Sequence, residues 1–273
     1  MSSATVRSTY AFDNSAVTAD TQLSSLERYL DPITAARLAP PVTAAGMRCW
    51  EVGAGGGSVA RLLAALAGPT GQVLATDIDP SQIPPGERIT VRRHDVRTGP
   101  VDDGPFDLIH ARLVLIHLPE RRAVLRQLAG ALAPGGWLVI EEFDCTSPPQ
   151  VLNAPSDAGR ALFTEILTAT IAELERGGMS REWAWEVHQE MTLAGLTQID
   201  TVATARHWSG DPSGAMLYDV NARHLRPRLE AAGVEPERLD TFLRLTRDPT
   251  FAALSYPVVS TADCGSWDIG AIS

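Results

Sequence analysis

A glycine-rich loop followed by acidic residues is the part of this sequence best suited to binding a ligand. The loop, Glu51-Val-Gly-Ala-Gly-Gly-Gly57, lies between a strand pattern and a helix pattern, the context in which such a loop is informative. Glycines let a ligand approach the backbone closely, and the following helix offers free N–H groups. Asp77 ends the next predicted strand, where its carboxylate can accept hydrogen bonds from both hydroxyls of a ribose. The combination predicts a nucleoside-type ligand.

Two ligand classes fit this geometry, dinucleotides and S-adenosylmethionine. The dinucleotide fingerprint requires Gly-x-Gly-x-x-Gly/Ala, whereas this chain has Gly53, Gly55 and then Ser58. Glu51 stands two residues before the first glycine. A carboxylate there opposes a pyrophosphate but suits a ligand that carries an ammonium and a sulfonium group. The residues favour S-adenosylmethionine and leave a nicotinamide oxidoreductase as an alternative.

The elements that must position these residues alternate along the chain. Strands are predicted at 48–52, 72–76, 89–93, 106–110 and 137–143, with helical patterns between them, and prolines shorten the helix after the second strand. Such alternation predicts parallel strands in a doubly wound α/β sheet. Further on, helices are predicted at 156–176, 180–193, 212–232 and 236–247, and strands at 197–207 and 254–261. We expect the two late strands to complete the same sheet.

Four segments together resemble class I S-adenosylmethionine-dependent methyltransferases. They are the loop at 51–57, Asp77-Ile-Asp79, His94-Asp95 and Leu132-Ala-Pro-Gly-Gly-Trp137, within about residues 47 to 143. The resemblance implies a Rossmann-like, seven-stranded sheet whose last strand is antiparallel. It also implies a helical cap over residues 1–40 and a methyltransferase domain over 41–273, with lid helices at about 151–195 and 210–250. With Tyr10-Ala-Phe-Asp-Asn14 ahead of the core, the chain resembles bacterial, especially actinobacterial, small-molecule methyltransferases.

The resemblance also implies a role for each matching residue. Gly53, Gly55 and Gly57 would surround the methionine part of the cofactor, and Glu51 would contact its ammonium group. The remaining cofactor contacts would be made by Asp77 (ribose), Ile78 (adenine face), Asp95 and Val96 (adenine edge), the backbone of Ala111 and Arg112 (methionine end), and Tyr10 (a cap over the site).

A hydroxyl or carbon nucleophile needs a base, and three side chains are candidates. His117 follows the fourth strand, where the fold presents the transferable methyl group, and histidine titrates near neutrality. A structural histidine lining the pocket is the equal alternative. His188 lies on a predicted lid helix, and Glu142 near the end of the fifth strand. Because a base candidate is well placed, O-methylation is slightly favoured over C- or N-methylation.

The amino-acid composition limits the classes of molecule that the protein is expected to bind. Lys+Arg 23 against Asp+Glu 33 gives a net charge of −10, which disfavours nucleic acid. No apolar run approaches the length of a membrane helix, no metal site is expected, and the chain is expected to be cytoplasmic. Aromatic and methionine residues concentrated in the C-terminal helices form either lid core or a pocket for a bulky aromatic acceptor, such as a secondary metabolite. Formation of a homo-oligomer is left as an open alternative. The main rival is a methyltransferase-fold protein that binds S-adenosylmethionine but catalyses another reaction, such as a cyclisation.

Overall fold

The computed structural model describes residues 19–39, 43–209 and 212–263. Its strands are β1 (Arg48–Val52), β2 (Gln72–Asp77), β3 (Ile89–Arg93), β4 (Phe106–Arg112), β5 (Leu132–Phe143), β6 (Val151–Asn153), β7 (Ile199–Thr204), β8 (His207–Ser209), β9 (Ala252–Leu254) and β10 (Val258–Asp263). Its α-helices are α1 (Ala19–Arg37), α2 (Ser58–Leu66), α3 (Arg121–Gly130), α4 (Asp157–Arg176), α5 (Trp183–Leu193), α6 (Pro212–His224), α7 (Arg226–Ala231) and α8 (Pro236–Leu245).

Seven strands form the main sheet in the order β3-β2-β1-β4-β5-β10-β7. The first five run parallel, and β10 pairs antiparallel with both β5 and β7. The expected doubly wound sheet with an antiparallel last strand is therefore confirmed. Apolar residues of β1, β4 and β5 are fully buried, including Trp50, Ile109 and Leu138, as is typical of parallel strands covered on both faces. The carboxyl ends of β1, β2 and β4 meet at one edge.

The segment after β2 contains one 3-10 turn, at Pro80–Gln82, in place of a crossover helix. Pro84 and Pro85 follow this turn, and proline lacks the N–H that a continuing helix requires. The predicted shortening of this helix is thus confirmed. It leaves the edge beside β2 open, where Ile78 keeps 39% of its surface exposed.

Each of the two late predicted strands is divided in the structure. The segment predicted as one strand at 197–207 forms β7 in the main sheet and then β8 in a second sheet, whose order is β6-β9-β8. The segment predicted at 254–261 likewise gives β9 in the second sheet and β10 in the main one. The two segments lie side by side where they pass from one sheet to the other, because the Ser255 N–H donates to the Arg206 carbonyl at 2.8 Å.

The helices that follow β5 belong to two layers. Helix α4 packs against α6, α7 and α8. Helix α5 packs instead on α3 and on β5, β7 and β10, with Trp183 and Met191 fully buried. Within the range 151–195 that was expected to be lid, α5 thus covers the main sheet.

Helix α1 includes the predicted span from Leu23 to Ile33 and lies over the carboxyl edge of the sheet, packed on α2 and α6. No helix in the described part of the chain is both long and apolar enough to cross a bilayer.

Candidate active site

A cleft of about 1200 Å³, counting its open mouth, lies between α1 and the carboxyl ends of β1, β2 and β4. Most of the predicted cofactor residues line it: Glu51, Gly53, Gly55, Asp77, Ile78, Asp95, Val96 and Arg112. Gly57 and Ala111 are not part of its wall. Gly57 caps α2, and Ala111 is enclosed within β4. Tyr10 lies outside the described residues.

The glycines of the loop shape the cleft in different ways. Gly53 has a φ of +66°, and a Cβ there would lie 2.4 Å from Val114 Cγ2, so a side chain is excluded on both conformational and steric grounds. Gly57 has a φ of +79°, and a Cβ there would approach Ile83 at 3.0 Å. Gly57 therefore shapes the turn into α2, whereas Gly53 allows Val114 to pack closely against the loop.

Asp77 is fixed in place by the loop. Its carboxylate accepts hydrogen bonds from the Gly55 N–H at 3.0 Å and the Asp79 N–H at 2.9 Å. Burial raises the pKa of Asp77, while these backbone bonds act against the rise. Each carboxylate oxygen keeps a second lone pair, so the oriented group can still accept hydrogen bonds from a diol.

Asp95 is already engaged by a cation. Arg97 donates from Nε at 2.9 Å and from an Nη atom at 2.7 Å, and this contact lowers the pKa of Asp95. Asp95 also caps the 3-10 turn Val96–Thr98 by accepting from the Arg97 N–H. An adenine amino group at this position would share the carboxylate with Arg97.

Glu51 belongs to a buried chain of charged groups that the sequence did not reveal. The imidazole of His110, with no exposed surface, contacts Glu51 Oε2 at 2.7 Å through Nδ1 and Glu141 Oε2 at 3.3 Å through Nε2. Burial disfavours charge on His110, but the two carboxylates outweigh it and raise its pKa to about 9. A protonated His110 can donate to both, and this fixes the orientation of Glu51.

The same chain continues to α1. The Thr34 hydroxyl donates to Glu141 Oε2 at 2.5 Å and accepts from Arg112 at 2.8 Å, and Arg112 also contacts Asp31 at 3.0 Å. Only the backbone of Arg112 was expected to contribute. The structure shows that its side chain links the end of β4 to α1, whose Leu23, Leu26, Glu27 and Leu30 line the cleft.

A second cavity of about 770 Å³ adjoins the first. Leu26, Leu113 and His117 line both cavities, so these three residues form the junction. Leu113 has the unusual φ of +56° for a residue with a side chain, which turns the chain sharply out of β4. The rest of the second cavity is lined by residues of α4, α6 and the strand ends: Ile116, Phe143, Cys145, Leu167, Thr170, Ile171, Leu174, Met179, Leu217, Tyr218, Asn221 and Tyr256.

His117, the first candidate base, stands at this junction. Burial lowers its pKa to about 4, and the Arg121 guanidinium acts in the same direction. The imidazole is therefore neutral near pH 7 and has a nitrogen lone pair that can accept a proton.

The structure places the other two base candidates outside both cavities. Helix α5 carries His188 on its exposed side, where Nδ1 lies 2.9 Å from Thr201 Oγ1. Glu142 is fully buried and accepts a hydrogen bond from the Ile116 N–H at 3.1 Å. Burial raises the pKa of Glu142 to about 8. Neither residue lines the two described cavities, and Glu142 supports the turn that presents His117.

Comparisons with known proteins agree with this geometry. A family described as a methyltransferase domain matches residues 23–239. Methyltransferase str2 of Strobilurus tenacellus is 40% identical over 97 residues, which are 34% of this chain and 34% of that protein. A trans-aconitate 2-methyltransferase of Methylobacterium radiotolerans is 27% identical over 200 residues, covering 71% of this chain and 73% of the relative.

A similar fold occurs in phosphoethanolamine N-methyltransferase 2 of Haemonchus contortus, solved with phosphomonomethylethanolamine and S-adenosylhomocysteine. The TM-score is 0.54 at 14% identity, covering 92% of this chain and 58% of that chain. The relatives include fungal and proteobacterial proteins, so the narrower resemblance to actinobacterial enzymes is not supported. Because the family match spans most of the chain and the main sheet has the expected order, this chain belongs to the class I S-adenosylmethionine-dependent methyltransferases.

Proposed function

We propose that the protein transfers the methyl group of S-adenosylmethionine to an oxygen of a small molecule held in the second cavity, releasing S-adenosylhomocysteine. The observation that carries the proposal is the junction of the two cavities at Leu26, Leu113 and His117. A cofactor in the first cavity and an acceptor in the second would meet there without crossing solvent, and exclusion of water favours transfer to the acceptor.

The first cavity fits this cofactor chemically. Gly53 and Gly55 contribute backbone without side chains to its wall, and Asp77 presents an oriented carboxylate suited to the ribose hydroxyls. Glu51 supplies a buried carboxylate for the cofactor's ammonium group. Bound S-adenosylmethionine would supply the electrophilic methyl group.

His117 would receive the acceptor's proton. A hydroxyl oxygen that accepted the methyl group would become positively charged, and its proton would then be strongly acidic. A weak, neutral imidazole is then sufficient as general base. We extend the proposal to an acceptor from secondary metabolism; the apolar walls and the size of the second cavity support a bulky, partly apolar molecule.

Calorimetric titration with S-adenosylhomocysteine tests the cofactor assignment, with NAD as the reference ligand. We expect Asp77→Asn to weaken S-adenosylhomocysteine binding by about 10- to 100-fold, because hydrogen bonds to a charged carboxylate are lost. The matched control is Asp79→Asn, two residues along the chain and outside the cleft wall, which should bind like the unmodified protein. Preferential binding of NAD, or equal binding by the two variants, would contradict the assignment.

Transfer itself is tested with radiolabelled S-adenosylmethionine and a panel of phenols, alcohols, amines and activated carbon acids. Label appearing first on oxygen supports the proposal. Label on nitrogen or carbon alone would replace O-methylation with another transfer. Consumption of the cofactor without methylated product would favour the cyclase type of reaction.

A further inference from the structure

The second cavity has a chemical character of its own. Fifteen described residues line it, and none of them is Asp, Glu, Lys or Arg. Its polar groups among the described residues are His117, Thr170, Asn221, the Cys145 thiol and the hydroxyls of two tyrosines. Burial raises the pKa of Cys145 well above its usual range, so the thiol is uncharged.

An ionised acceptor would therefore lose its hydration without gaining an opposite charge from the described wall. Such a transfer is strongly unfavourable unless an ionic partner replaces the water. The charged groups just outside the cavity include ion pairs. The Arg181 guanidinium, for example, donates to Glu175 at 2.7 Å. The wall selects against carboxylates, phosphates and ammonium groups.

Three aromatic rings make one side of the cavity suited to a flat ring system. Tyr256 lies between Phe143 and Tyr218, with centroid separations of 6.1 Å to each ring. Rings at such distances and angles leave faces and edges for a further aromatic ring to contact.

Tyr256 also has a polar group without a partner. Its hydroxyl is buried and finds no hydrogen-bond acceptor or donor among the described residues. The hydroxyl of Tyr218, in the same cavity, donates to the Leu254 carbonyl at 3.3 Å. The hydroxyl has almost no surface open to the cavity, so an acceptor oxygen reaches it only when the Tyr256 side chain turns towards the bound molecule. An unsatisfied buried hydroxyl is costly, and that contact would satisfy it.

We propose that the acceptor is an uncharged aromatic molecule with an oxygen that accepts a hydrogen bond from the Tyr256 hydroxyl. The inference rests on the proposed function, since it takes the second cavity as the acceptor site. Tyr256 is then a specificity-determining residue, while His117 serves the reacting oxygen. Burial keeps the phenol of Tyr256 protonated across the physiological range, so it remains a donor.

The test uses the full chain saturated with S-adenosylhomocysteine and two probes, naphthalene-2,7-diol and 2-naphthoate. The diol is uncharged at pH 7, whereas the naphthoate carries a carboxylate. We expect the diol to bind at least about tenfold more tightly than the naphthoate. Equal or tighter binding of the naphthoate, or binding of neither probe, would overturn the inference.

Two tyrosine variants measure the contribution of the Tyr256 hydroxyl to binding of the diol. We expect Tyr256→Phe to weaken diol binding by about three- to tenfold, the usual effect of one hydrogen bond. The matched control is Tyr29→Phe, which removes a phenol hydroxyl from a residue that lines neither cavity, and it should leave diol binding nearly unchanged. Equal effects of the two variants would overturn the role of Tyr256.

S-adenosylhomocysteine affinity is measured separately for every variant. If S-adenosylhomocysteine still binds but the diol is not preferred over the naphthoate, only the inference about the acceptor is overturned. Loss of cofactor binding in the unmodified protein would overturn the proposed function itself, and the inference with it.

Discussion

His117 shows how one residue's surroundings decide its chemistry. The loss of hydration inside the protein lowers its pKa to about 4, far from the near-neutral value that makes histidine an obvious base. Its position at the junction of two cavities, and not its intrinsic basicity, supports the catalytic role. Sequence reasoning could locate His117 after the fourth strand, but it could not foresee this shift, which depends on packing from α3 and the lid.

We expect His117→Gln to lower kcat for O-methylation about 100-fold or more, the usual scale of general-base catalysis. S-adenosylhomocysteine affinity should change little, because the junction keeps a polar side chain of similar size. The unmodified enzyme should have a rate nearly independent of pH above about 5, since the imidazole is already deprotonated there. Steady-state kinetics over this pH range provide the measurement.

His188→Gln is the control, because His188 lies on the outer side of α5. Full activity in that variant, together with the loss in His117→Gln, would support the assignment of roles. A comparable loss in both variants would contradict it.

Several site residues were predictable because their positions follow from strand order. Glu51 and Asp77 end neighbouring parallel strands, so any such sheet brings them to one edge. The Glu51–His110–Glu141 chain was not predictable in this way. It depends on the register that places Glu51 opposite His110, and register is set by the assembled sheet. The side-chain contacts of Arg112 were not predictable either, because its partners lie on α1 and come close only in the folded chain.

Among the elements, α1 is the one whose attachment bears most directly on the site. Four of its residues line the cleft, and its polar contacts with the strands include Asp31 with Arg112 and Arg37 with Asp200. Thr34, which is fully buried, lies at the centre of these contacts between Glu141 and Arg112. Helix α1 and the buried Glu51 are therefore connected through one continuous chain of hydrogen bonds.

We expect Thr34→Val to reduce the free energy of unfolding by about 1–3 kcal/mol, because a buried acceptor and a buried donor lose their partner. Amide hydrogen exchange within residues 23–37 should become faster, and S-adenosylhomocysteine should bind more weakly. Ser24→Ala, at an exposed position of the same helix, serves as the control. If α1 exchanged no faster in Thr34→Val than in Ser24→Ala, the contact would not hold the cap.

The late elements show where sequence patterns fail. A β-branched, alternating segment indicates extended chain, but it does not tell which sheet each half joins. Both 197–207 and 254–261 pass from one sheet to the other within two or three residues. Helix α5 is a similar case. The sequence predicted the helix, but it did not indicate that the helix packs on the main sheet.

At the scale of the whole molecule, buried ionisable groups make stability depend on pH. The pKa of Glu142 is raised to about 8 by burial, and that of His110 to about 9 by its two carboxylate neighbours, despite burial. Both groups hold a proton more tightly in the folded state than in the unfolded state. Their contribution is therefore complete at low pH and is lost as the pH rises through these values.

We expect the free energy of unfolding to fall between pH 6.5 and 8.5, by at most about 1.4 kcal/mol per pH unit for each group. Glu142→Gln removes one of these titrations and should make the decline shallower. Urea denaturation at several pH values measures the slope, and the exposed Glu182→Gln variant should keep the original one. An unchanged slope in Glu142→Gln would show that Glu142 does not titrate in this range.

The pairing of β8 with β9 has a consequence for how the enzyme could be re-engineered. His207 lies opposite Leu254 in an antiparallel pair. The two ends of the segment between them are therefore adjacent in space. That segment carries Leu217, Tyr218 and Asn221 of the acceptor cavity, while the first cavity draws its described lining from residues 23–118. Residues 207–254 therefore form a cassette that could be exchanged between homologues to alter acceptor choice without replacing any residue of the cofactor cleft.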